Sequence, residues 1–106
     1  MTGKERAALR AKANSLESYI QIGKSGISDA LIKQVYDAIT AHELIKIKVH
    51  LETTPISPRE AADELAKALN ADVIQVIGGV IVLYRYNPEL HKPKQANPPK
   101  NTTAKK

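Results

Sequence analysis

The chain has 106 residues, 42% hydrophobic and 25% charged, which suits one globular domain with room for a tail. It has no cysteine, tryptophan or phenylalanine, so disulfides and thiolate chemistry are excluded and the core must be aliphatic. Sixteen Lys and Arg against eleven Asp and Glu give a formal charge of +5, which favours a polyanionic partner, with a merely solubilising surface as the alternative. Residues 1–15 alternate charge with alanine and hold no apolar run, so neither a signal peptide nor a membrane span is expected. The missing cysteines fit a cytoplasmic protein.

Residues 4–16 predict a helix with a narrow apolar stripe of Leu9, Ala13 and Leu16. Arg6 and Arg10 flank one side of the stripe and Lys4 and Lys12 the other, giving a basic rim. Tyr19-Ile20-Gln21-Ile22 alternates with period two and predicts a short strand. Gly23 to Ile27 then form a loop, and a core-facing helix follows over 29–41, with Ser28 as its N-cap. Residues 43–51 alternate most cleanly. Ile45, Ile47, Val49 and Leu51 are expected inside, while Lys46, Lys48 and His50 form an outward row at about 7 Å per step.

Ser57-Pro58-Arg59-Glu60 is a capping box with proline at the first helical position, so a third helix starts there and ends near Asn70. Residues 73–77, Gly78-Gly79 and residues 80–85 predict a hairpin on a two-residue turn. Pairing Ile77 with Val80 puts Ile74, Val76, Ile81 and Leu83 on one face. Both faces of the last strand are then apolar, which argues for a central strand whose second face the first helix covers. From Asn87 the composition turns to Pro, Lys, Asn, Thr and Gln, and residues 87–106 are expected to be a disordered tail behind a domain of residues 1–86. The order α-β-α-β-α-β-β predicts a single α/β (α+β) domain with a mixed sheet, parallel across its βαβ steps and antiparallel at the hairpin.

The loop Gly23-Lys24-Ser25-Gly26 admits several readings. A nucleotide P-loop needs a glycine where Ser18 stands, and no acidic strand end offers itself for magnesium. A Gly-x-x-Gly clamp lets the main chain approach a sugar-phosphate backbone, with Lys24 and the amides of the following helix adding positive charge. The glycines can also serve only the strand-to-helix turn. For an enzyme, His42, His50 and His91 are scattered, and neither a nucleophile–base pair nor metal-ligand spacing is present.

Taken together, Lys4, Leu9-Arg10 and Ala13, then Ile20 to Ile27, Glu43 to Ile47, Gln75 to Gly78 and Ile81 to Arg85 stand in an order that resembles the CRM-domain family, within it the stand-alone bacterial YhbY-type proteins. The resemblance spans residues 3–86. It implies a non-enzymatic RNA-binding domain without cofactor, similar in fold to the C-terminal domain of bacterial translation initiation factor 3, with a four-stranded sheet in the order 1-2-4-3. It also implies association with 23S ribosomal RNA in precursors of the large ribosomal subunit, and assistance in ribosome assembly. The family's loop maps onto Gly23, Lys24, Ser25 and Gly26, and its helix-one cations onto Lys4 and Arg10. Arg6, Lys46 and Lys48 join them as expected electrostatic contacts on the residue reading alone. The protein is expected to be a monomer without membrane attachment. The competing class is an adaptor for acidic protein or membrane surfaces.

Overall fold

The computed structural model describes residues 1–91, in which the sequence patterns become α1 (Gly3–Ala13), β1 (Ile20–Ile22), α2 (Asp29–His42), β2 (Leu44–Val49), α3 (Pro58–Leu69), β3 (Asp72–Ile77) and β4 (Val80–Tyr84). A 3-10 turn follows at Pro88–His91. The sheet order is β1-β2-β4-β3, with β1 and β2 parallel and both contacts of β4 antiparallel. The last strand is therefore inserted between two strands already laid down, as its two apolar faces require.

Three layers result. On one face, α2 and α3 bury Val35, Ile39, Ala61, Ala62 and Leu65 against Ile47, Ile81 and Leu83. On the other, α1 covers Leu44, Ile74 and Val82 with Ala13, supported by Leu9 and Leu16. Helix α1 stops at Ala13, earlier than its apolar spacing predicts, and Leu16 reaches the same cluster through a turn in which its amide donates to the Ala13 carbonyl at 3.0 Å. The predicted cover of the second sheet face is thus in place.

Helix ends follow local chemistry. Capping boxes close α1 (Thr2 with Glu5) and α3 (Ser57 with Glu60), and Asn70 ends α3 in the left-handed region. Glu43 ends α2 at φ 65°, where a side chain is strained. Its carboxylate accepts from the Asn87 amide at 2.7 Å and pairs with His91 at 2.9 Å, contacts that hold its pKa below the usual carboxylate range. Asn87 also donates to the Thr40 carbonyl, and Tyr86 stacks on His91. Residues 87–91, expected to begin the disordered tail, are instead tied to the end of α2; the remainder of that expectation lies outside the described residues.

Two expectations on the strands need correction. Ile77 does pair with Val80, but a bulge between Val73 and Gln75 adds one residue to β3. That extra residue turns Ile74 to the α1 side, away from Ile81 and Leu83, while Val73 and Val76 pack toward α2 and α3. Leu51, expected inside, lies beyond the end of β2 and is 61% exposed, because β2 stops at Val49. The hairpin turn explains the early stop. The Val49 amide donates to the Gly79 carbonyl at 2.6 Å, and a Cβ on Gly79 would stand 2.7 Å from the Val49 carbonyl oxygen.

Gly79→Ala should therefore force β2 and the hairpin apart. A loss of about 1–3 kcal/mol is expected in urea unfolding, the range for overpacking a tight contact.

Candidate nucleic-acid interface

Strand β1 ends at Ile22, whose carbonyl accepts from the His50 amide at 2.9 Å and the Thr54 hydroxyl at 2.8 Å. These bonds fix the exit of β1 against the loop that leaves β2. The next four residues form a tight turn in which the Gly26 amide donates to the Gly23 carbonyl at 2.9 Å. Ser28 then caps α2 by accepting from the Leu31 amide at 3.1 Å. The residue three beyond this cap is Leu31, where α1 and α3 carry a glutamate that folds back on its own cap. No acidic side chain closes α2 in that way, so its first turn faces the groove with its helix dipole positive. Asp29, exposed in that turn, opposes part of this field.

The two glycines differ in what the fold demands of them. Gly26 is buried at φ +61°, and a Cβ there would meet Pro55 Cγ at 3.3 Å, so the turn itself requires it. At Gly23 a Cβ would find only the Thr53 hydroxyl oxygen at 4.0 Å, and φ there is not in the left-handed region. The fold gives no reason for glycine at 23. Lys24 and Ser25 stand exposed between them. The turn, Gln21 and the start of α2 line a shallow groove of about 300 Å³ that also includes Gln34.

Of the other candidate residues, Lys48 is exposed on β2 and pairs in register with Gln21, at the same end of the sheet as the turn. His50, beside it, exchanges a hydrogen bond with Gln21. Lys46 is not the free outward cation its alternation predicts. Its ammonium donates to the carbonyls of Ala13 and Leu16 at 3.3 and 3.4 Å, which ties the end of α1 to β2. Arg6 is likewise engaged, its guanidinium donating to the Val73 carbonyl beside the β3 bulge. That contact lies at the sheet edge and strand end opposite the glycine turn. Lys4, in the same first turn of α1, and Arg10 are exposed, but the structure does not bring Lys4 to the groove.

Charge divides sharply along the chain. Residues 92–106 hold five of the sixteen basic residues and none of the eleven acidic ones, so residues 1–91 balance at eleven each. The positive excess is carried entirely by the C-terminal segment. Sequence reading missed Gln34 and Gln21 as groove residues, because both are polar positions on otherwise core-directed elements and nothing in their spacing marks them. Among the described residues no helix is long and apolar enough to cross a membrane.

The fold and this edge define a small three-layer α+β domain with a partly exposed glycine turn at a helix N-terminus. Residues 1–85 match the CRS1 / YhbY (CRM) domain, and the chain belongs to that family. It is 39% identical over 89 residues to the "Probable RNA-binding protein YqeI" of Bacillus subtilis, a match covering 84% of this chain and 92% of that one. With the "Probable RNA-binding protein MJ0652" of Methanocaldococcus jannaschii it shares 42% identity over 86 residues, covering 80% of this chain and 63% of the relative. The solution structure of SAV1595 from Staphylococcus aureus superposes with a TM-score of 0.70 at 39% identity, over 82% of this chain and 90% of that one. These curated relatives are named for RNA binding and not for a catalytic activity.

Alanine substitution separates the two glycines. Gly26→Ala is expected to cost about 1–2 kcal/mol of stability through its left-handed backbone, read by thermal or urea unfolding. Gly23→Ala should leave the unfolding curve unchanged and weaken RNA binding, which an anisotropy titration with labelled single-stranded RNA measures.

Proposed function

We propose that this protein is a non-enzymatic RNA-binding factor that associates with 23S ribosomal RNA in precursors of the large subunit and assists their assembly. The observation that carries the reading is Gly23, a glycine that the fold does not need, placed in the groove that Lys24 and the first turn of α2 also line. A missing side chain there lets a sugar-phosphate backbone come close to the main chain. The relatives' names supply the class of polymer.

In this reading Gly23, Lys24, Ser25 and Gly26 hold the backbone, with Gly26 shaping the turn. Lys48 adds charge on the adjoining strand. Lys4 and Arg10 make accessory contacts on the far side of the domain, reached only by an RNA that wraps the α1 face. Arg6 and Lys46, whose cationic groups are bonded to main-chain carbonyls, act on the fold and no longer belong with the RNA contacts. Such a grip recognises phosphates and sugars, so it sets affinity and position but not sequence.

Cell lysate sedimented through a gradient tests the assignment. The protein should travel with large-subunit precursors and return to the top after ribonuclease; pelleting with membranes that survives ribonuclease would refute it. Lys24→Ala should weaken binding uniformly across RNA sequences and lower the slope of log affinity against log salt by about 0.7. An unchanged titration removes Lys24 from the grip.

A chain ending at His91 carries no formal net charge. Its association with RNA should be slower and much less salt-dependent, with a slope reduced by as much as about 3.5 if all five lysines neutralise phosphates. The proportional effect of Gly23→Ala should persist in it, which stopped-flow and equilibrium titration together can check.

A further inference from the structure

A second cleft, of about 590 Å³, opens beside β1. It exists because β1 is half as long as β2. The short strand pairs only with Ile47–Val49, so Leu44–Lys46 have β4 on one side and no β1 partner on the other. The volume falls within the ~300–1,000 Å³ usual for small-ligand sites.

Its walls are aliphatic, from Leu16, Ile20 and Leu44, and Tyr19 stands at its rim with 81% of its surface exposed. Polar atoms come from Gln34 and His42, which lie eight residues apart on one flank of α2, and from the charged Lys12, Glu17 and Lys46, which also line the cleft. Gln34 also lines the glycine groove, so the two depressions share that residue as a common wall. From Ile20 in the cleft to Gly23 at the turn is a span of about 10 Å along the strand. One extended polymer can therefore occupy both.

We propose that this cleft receives an unpaired base of the RNA strand whose backbone the glycine turn holds. The base stacks on Tyr19 and turns its hydrogen-bonding edge toward Gln34 and His42. A nucleobase has apolar faces and a polar rim, which is the chemistry these walls present, and exposed aromatic rings are the usual platform for unstacked bases. The inference rests on the RNA-binding reading of the turn and adds to it a contact that can distinguish bases, which a backbone grip cannot.

The test uses the full chain and two fluorescent probes of equal length and charge, a single-stranded RNA and its abasic counterpart. Wild type should bind the base-bearing probe about tenfold more tightly. Tyr19→Ala should remove that preference while leaving the abasic probe's affinity unchanged, and Tyr19→Phe should restore it. The exposure of Tyr19 makes loss of fold an unsuitable explanation, and an unfolding curve for each variant checks this. Equal affinities of wild type for the two probes, or a Tyr19→Ala effect that is absent or equal on both, would overturn the base site. Lys24→Ala should weaken both probes alike. If Lys24→Ala and Gly23→Ala change neither probe while Tyr19→Ala still acts only on bases, the backbone grip fails and the base site stands.

Discussion

The structure depends on burying both faces of β4. Ile81 and Leu83 are fully enclosed beneath α2 and α3, and Val82 is nearly so beneath α1. In a chain without disulfides or large aromatic core residues, this double burial supplies the cohesion, since aliphatic area removed from water is the main stabilising contribution available. It also makes α1 indispensable. An exposed Val82–Ile74–Leu44 surface would be an apolar patch on the middle of the sheet.

Docking α1 has a consequence for the charged residues. A short helix lying across a sheet leaves main-chain carbonyls facing cations, and two side chains answer them: Arg6 at the Val73 carbonyl and Lys46 at those of Ala13 and Leu16. Arg85 acts similarly on the other side, joining the Leu69 carbonyl and the Thr40 hydroxyl while lying over Tyr36. A basic residue on a nucleic-acid-binding fold is therefore no guide to the binding surface until its hydrogen bonds are known. Among the described residues, the cations left in water near the glycine turn reduce to Lys24 and Lys48.

The same contrast explains what was legible in the sequence. Alternation fixed β2 because its apolar and charged residues take opposite parities, and the Ser57–Glu60 box fixed the start of α3 because both partners are local. The bulge at Ile74 left no trace, since Val-Ile-Gln-Val-Ile is apolar at both parities and reads equally well with or without an added residue. The Arg6 and Lys46 contacts join residues 67 and 33 positions apart in sequence, beyond any local pattern. At the candidate site the Gly-x-x-Gly spacing was visible, but the division of labour within it was not. It depends on Pro55 and Thr53, from a loop that only the tertiary fold brings alongside.

The length of β1 links these features into one surface. A longer β1 would pair with all of β2 and close the cleft at Leu44–Lys46; the three residues present suffice to anchor Ile20 and Ile22 in the core and to aim the turn at the start of α2. The sheet edge thus carries a polar groove at one end and an apolar one at the other, along the flank of a single helix. Because residues 1–91 are electrically balanced, this edge exerts little long-range attraction, and its contacts act only at close range. On the proposed reading, long-range attraction to a polyanion falls to the five lysines of residues 92–106, which carry the chain's whole formal excess. Encounter and backbone contact thus fall, on that reading, to different parts of the chain, and changes in one need not alter the other.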